Sequence, residues 1–205
     1  IMESEEHTAC VRIAYHHTDI VYMSKNQEVL RDVEHEVKEE ATQGIVCTDR
    51  NKMSLQGLLE YANTVDLAEI KDMIQRQIEM NSRISQEGLD NAWGAQIGKT
   101  ILGNWGHDVR TEACAAAAAG SDARMSGCPL PVVINSGSGN QGITVTMPVL
   151  VYAREWHISE EKMYRAMLVS NLVSIYIKHY IGALSAFCGA VSAACGSSAA
   201  ITFMA

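Results

Sequence analysis

The stretch from Pro131 to Pro148 sets the tightest limits on how this chain can fold. It reads Pro-Val-Val-Ile-Asn-Ser-Gly-Ser-Gly-Asn-Gln-Gly-Ile-Thr-Val-Thr-Met-Pro. An apolar run, Val132 to Ile134, leads into small and amide residues, Ser136 to Gly142, and a second apolar run follows. Three glycines so close together are needed only where a backbone turns tightly or approaches another group. Ser136, Ser138, Asn140 and Gln141 set hydroxyls and amides beside exposed backbone N–H groups. That is the chemistry of a cradle for a carboxylate or a phosphate. On the pattern alone, a plain surface turn competes with this reading.

Two nucleotide motifs come near and fall short. Gly137, Gly139 and Gly142 spell G-x-G-x-x-G. That fingerprint needs a strand before it, a helix after it and an acidic residue about twenty positions on. The β-branched run Ile143 to Thr146, followed by Pro148, is a poor opening for a helix. Gly94-Ala-Gln-Ile-Gly98-Lys99-Thr100 lacks the four-residue spacing of a P-loop, because Trp93 stands where the first glycine should be.

The chain has 205 residues, enough for one good core or two small ones. Its net charge of −8 argues against nucleic acid and against an anionic membrane as partners. Six cysteines, at 10, 47, 114, 128, 188 and 195, form no C-x-x-C pair. They read as thiols in a reducing, cytoplasmic setting, some in the core and one as a metal ligand. Ile1 opens onto Glu3, Glu5 and Glu6 rather than a basic leader, and the sequence stops within an apolar run. Both ends read as cut from a longer polypeptide.

Residues 9–30 alternate as strands, with His16-His17-Thr18-Asp19 as a polar turn; Arg31 to Glu40 is an acidic linker or edge. From Ser54 the period becomes helical. Leu55, Leu58 and Leu59 share one face, and Thr64 caps a longer helix through Val65, Ile70, Met73, Ile74 and Ile78, with Met73 and Met80 in the core. The alanine run 113–119 belongs to a helix that can pack closely. Arg124, at its end, is a candidate partner for an anion in the loop. Ser159 caps a helix that runs to Gly182. The 23 residues from Ala183 carry no charge and read as a buried helix rather than a membrane span. In such a helix Cys188 and Cys195 lie on one face.

The wording Asn135-Ser-Gly-Ser-Gly-Asn-Gln-Gly-Ile143, with Thr-Met-Pro-Val after it, Ile175-Tyr-Ile-Lys178 and Leu184-Ser-Ala-Phe-Cys188-Gly, resembles the L-cysteine desulfidase family. This is the serine dehydratase-like group of iron–sulfur lyases, and the likeness is spread from about Ala9 to the end of the chain. The resemblance implies a pyridoxal-independent lyase that turns L-cysteine, or L-serine, into pyruvate and ammonia with loss of sulfide or water. It implies a [4Fe–4S] cluster held by three cysteines, whose open iron acts as a Lewis acid on the substrate. Cys188 matches the first ligand; Cys195 does not match and is kept as core. The other two ligands, and the Gly-Cys-Thr-Glu-Pro motif of the proton-abstracting base, are absent from these residues. The resemblance further implies substrate binding by Asn135, Ser136, Gly137, Ser138, Gly139, Asn140 and Gln141, with Arg124 beside them.

These readings give an α+β fold: a small β-containing part at residues 1–45, belonging to a larger domain, then a mostly helical serine dehydratase alpha-like domain at 46–205. The partners are a small amino-acid substrate, the remainder of the parent polypeptide and, in a homo-oligomer, a second copy. Alone, these residues are expected to hold no stable cluster and to be inactive. The alternative is a non-enzymatic binding module for an amino acid or small anion, without a cluster.

Overall fold

A computed structural model describes residues 1–14, 19–33, 49–182 and 185–205. The fold is α+β. Two compact units divide it: residues Ile1–Asn51 with Ile181–Ala186, and Lys52–Tyr180 with Phe187–Ala205. The expected boundary at residue 45, with His16, His17 and Cys47, lies outside the described residues.

The first unit is an antiparallel meander of β1 (Met2–Glu3), β2 (Thr8–Ile13), β3 (Ile20–Lys25) and β4 (Glu28–Asp32), paired in chain order. Cys10 sits opposite Ser24 and Val11 opposite Met23. β3 and β4 are joined by Asn26 and Gln27, both at positive φ, as a two-residue type I′ hairpin requires. Arg31 and Asp32 close the exposed edge strand β4, so this part of the acidic segment is an edge.

The second unit holds seven helices among the described residues, preceded by a short 3₁₀ turn at Arg50–Lys52. α1 (Leu55–Thr64) is capped by Ser54, whose Oγ accepts from the Gly57 N–H at 3.1 Å. α2 (Leu67–Asp90) is capped by Asp66, not Thr64. Val65 is extended and breaks the helix, and the Thr64 hydroxyl donates back to the Glu60 carbonyl instead. The core stripe of α2 is Ile70, Ile74, Gln77, Asn81, Ile84, Ser85 and Gly88. Met73 falls off that stripe and is exposed; Met80 is half-buried.

α3 (Ile97–Trp105) and α4 (Val109–Met125) follow. The alanine run of α4 buries Ala115, Ala116, Ala119 and Ala123. Its small side chains let α2 approach until Gly88 lies on the Ala119 backbone, where no Cβ would fit.

α5 (Gly139–Glu155) overturns the β-branched reading of 143–146. Ile143, Val145, Thr146 and Met147 are all buried in the helical core, and this burial outweighs the small propensity cost of branched residues. Thr144 and Thr146 donate to the carbonyls of Asn140 and Gly142 and so fit a helix without losing hydrogen bonds. Pro148 lies inside the helix. The carbonyl it leaves unbonded, four residues back at Thr144, lies on the half-buried side of the helix, as does Pro148.

α6 (Glu160–Ile181) starts after Ser159 and stops before Gly182, which is at φ +86°, as the sequence predicts. α7 (Gly189–Met204) begins one residue after Cys188. Cys188 is therefore the N-cap and not a helical residue sharing a face with Cys195. Cys195 is exposed, not core, because α7 buries the face of Ser192, Ala193, Gly196, Ser197 and Ala200. Among the described residues no helix is long and apolar enough to cross a membrane.

Candidate functional site

The segment before the loop is not a strand; it is pinned to α2 by one side chain. Fully buried Asn81 accepts from the Val133 N–H at 2.9 Å and donates to the Val133 carbonyl at 3.1 Å. Two residues later the chain reverses. The Asn135 N–H donates to the Ser138 carbonyl at 3.1 Å, and the Ser138 N–H returns the bond at 3.0 Å. The residues between, Ser136 at φ +49° and Gly137 at φ +82°, make this a type I′ turn. α5 starts directly from it. Gly142, on the first turn of α5, lies on the Val133 carbonyl, so only a residue without Cβ can be there.

A buried network of amides and hydroxyls holds the turn from behind. Asn135 Nδ2 donates to Asn171 Oδ1 at 3.0 Å, and Asn135 Oδ1 accepts from the hydroxyls of Ser136 and Ser174. Asn171 donates to Gln77 Oε1 at 3.0 Å, and Gln77 donates to the Thr146 hydroxyl at 2.7 Å. Asn81 donates to that same hydroxyl at 3.1 Å. A network with so many members satisfied rigidifies what it touches. Gln77, Asn81, Thr146, Asn171 and Ser174 were not singled out from sequence. The signal was there for two of them: Gln77 and Asn81 are uncharged amides at core positions of an amphipathic helix, where apolar residues are the rule.

The front of the turn is the N-terminus of α5. The N–H groups of Gly139, Asn140 and Gln141 have no acceptor in the helix, and the first helical bond is made by Gly142 to the Ser138 carbonyl. Ser138 occupies the N-cap but its hydroxyl does not cap. Arg124 lies across this end. Its side chain covers Gly139, and its Nη1 donates to Asn140 Oδ1 at 3.1 Å. A cation beside the positive end of a helix dipole is unfavourable by itself, and an anion held between them reverses the sign.

Gln141 reaches to α7. Its amide covers Gly189, the first residue of α7, next to Cys188. Gln141 Oε1 is buried and accepts no hydrogen bond. A buried acceptor left unpartnered costs roughly 1–3 kcal/mol, so such atoms point to a missing donor. The structure thus brings Arg124, the 135–141 loop and Cys188 to one end of the helical unit.

The metal reading receives less. Among the described residues no three His, Cys, Asp or Glu side chains gather. Cys188 is exposed and stands as a single candidate thiolate, whereas iron–sulfur clusters take three or four. The described donors do not by themselves fit a cluster. The dinucleotide reading also lacks its context: the loop opens a helix, but no strand precedes it and the described sheet is antiparallel.

The family model of the serine dehydratase alpha chain matches residues 23–205. This chain belongs to the serine dehydratase alpha chain family. It is 46% identical to a UPF0597 protein of Desulfitobacterium hafniense over 197 residues, covering 95% of this chain and 44% of that protein. A UPF0597 protein of Finegoldia magna is 46% identical over 202 residues, 98% of this chain and 47% of the relative. One from Vibrio campbellii is 37% identical over 209 residues, 100% and 48% respectively. The chain therefore spans a little under half the length of these relatives. No solved structure matches it. Within the serine dehydratase alpha chain match lie the whole helical unit, the loop, Arg124 and Cys188.

Proposed function

We propose that this chain carries the substrate-binding half of a pyridoxal-independent lyase that acts on a small β-substituted α-amino acid, L-serine or L-cysteine. The observation that carries the reading is the pairing of opposite demands at one helix start. Free N–H groups at Gly139, Asn140 and Gln141, flanked by Arg124, suit a carboxylate. The unpartnered Gln141 Oε1 in the same turn suits an ammonium. A zwitterionic amino acid supplies both.

In this reading the Asn135–Ser138 turn and its network fix the carboxylate, and the β-substituent projects toward the Cys188 end of α7. The reaction would remove the α-proton and the β-group together. The resulting enamine would tautomerise to an imine and hydrolyse to pyruvate and ammonia. Cys188 would contribute one thiolate of the implied cluster, and the remaining ligands and the base would lie outside the described residues.

The test uses the chain with whatever further polypeptide its gene encodes, purified without oxygen. Iron, sulfide and pyruvate formation from L-serine and L-cysteine are measured, alongside calorimetric binding of each amino acid. Support would be pyruvate from one substrate, loss of iron on Cys188→Ala, and binding weakened at least tenfold by Gln141→Ala. Absence of pyruvate from both substrates, with iron present, would overturn the lyase reading. Unchanged amino-acid binding in Gln141→Ala would overturn the site.

A further inference from the structure

A separate cavity of about 440 Å³ opens between α2, α3, α4 and α5. Its walls include Val151 and Arg154 on α5. The lining residue of α5 nearest the loop, Met147, lies eight residues past Gly139, about 12 Å along the helix. The cavity is therefore not part of the loop site and is independent of the proposed lyase activity.

Leu89, Leu102, Met147 and Val151 give this cavity one apolar wall, and polar side chains, Glu112 among them, make up much of the rest. Most of its polar groups are already satisfied. The Ser85 hydroxyl donates to the Ala116 carbonyl at 2.7 Å, and Gln86 donates to Asp90 at 2.9 Å. Glu112 lies 3.5 Å from His107 Nδ1, an ion pair only when that imidazole is protonated. Two side chains differ. Arg83 from α2 and Arg154 from α5 both line the cavity, and among the described residues neither guanidinium has a hydrogen-bond or ion-pair partner. Both arginines are exposed, and they face a hollow that also holds the Glu112 carboxylate, so they outnumber the one acidic group there by two to one. A volume in the few-hundred Å³ range that combines an apolar wall with polar groups is what small-ligand sites look like. Guanidinium forks prefer carboxylates.

We infer that this cavity is a second small-molecule site, which takes a carboxylate carried on a branched apolar body. The carboxylate meets Arg83 and Arg154, and the body lies on Leu89, Leu102, Met147 and Val151.

The probe is 4-methylpentanoate, titrated by calorimetry and by ligand-observed NMR into the wild-type protein. Two controls separate charge from shape: the isosteric neutral 4-methylpentanamide, and acetate, which has the charge without the body. Saturable binding of 4-methylpentanoate is expected, with both controls at least tenfold weaker. Arg83→Ala with Arg154→Ala should weaken it by a further tenfold to hundredfold, the scale of charge-assisted hydrogen bonds. Val151→Trp, which fills the cavity, should abolish binding with both arginines in place. No saturable binding in the wild type, equal binding of the amide, or unchanged binding in the double variant would each overturn the inference. The amide comparison needs no variant and stands even if one of them folds poorly.

Discussion

Asn81→Ala is the perturbation that most directly tests how the loop is held. Asn81 is wholly buried and makes three hydrogen bonds, two to the Val133 backbone and one to the Thr146 hydroxyl. At about 1 kcal/mol net for each bond, their loss destabilises the protein by about 3 kcal/mol. Val133 is half-buried, so water can reach its freed backbone groups and the penalty stays near that figure. Thr146 keeps its bonds to Gln77 and to the Gly142 carbonyl and adds no further penalty. For a chain of this length each kcal/mol lowers Tm by about 2–4 °C, so the transition should fall by about 6–12 °C. Far-ultraviolet circular dichroism or calorimetry reads that shift. The control is Gln75→Ala on the exposed face of α2, expected within about 0.5 kcal/mol of wild type. A local readout separates the mechanism from general weakening: hydrogen exchange at the Val133 amide should quicken by about fivefold, the equivalent of one lost bond of about 1 kcal/mol. Equal Tm values for Asn81→Ala and Gln75→Ala would refute the claim that this amide anchors the loop.

Two further outcomes are expected. In Gly142→Ala the new methyl would lie on the Val133 carbonyl and 2.9 Å from its carbon, backbone atoms that cannot rotate away, at a cost of about 1–3 kcal/mol or more; Gly103→Ala in α3, which meets nothing within 4 Å, should instead stabilise by about 0.5–1 kcal/mol, and urea melts distinguish the two. The Tyr164 hydroxyl donates to Glu160 at 2.6 Å, and this bond, with burial, pushes its pKa up to about 12 from the ordinary 10.0. The neutral phenol is the form the fold favours, so its contribution is complete below pH 10 and is lost as pH rises from 10 through about 12; an ultraviolet tyrosinate titration should show a late-titrating group that vanishes in Tyr164→Phe, and an unchanged titration would count against the bond.

Much of the site was legible in the chain because it depends on local backbone chemistry. The glycines and small polar residues of 135–142 specify a tight turn, and Arg124 ends the helix that leads into the loop, whereas the helix start at Gly139 ran against the local pattern. Ser54, Ser159 and Gly182 likewise mark helix ends through their own side chains or φ. What failed did so where burial decides. Ile143 to Pro148 carries β-branched and helix-breaking residues, yet it is helical because α5 is buried on most sides and packing outweighs propensity. Cys195 is uncharged and lies in an uncharged run, but only the packing of α7 shows that its face is exposed.

The sequence by itself determined the strand-rich start, the helices that follow Ser54 and Ser159, and the tight turn of the loop, since periodicity and φ requirements act over a few residues. Only the tertiary structure decided that Asn81 on α2, Asn171 and Ser174 on α6, and Gly189 on α7 meet that loop and its lead-in, with Gln77 bonded to Asn171 behind them. These residues are separated from it by tens of positions along the chain. They are brought together by the packing of helix faces, which no local pattern encodes.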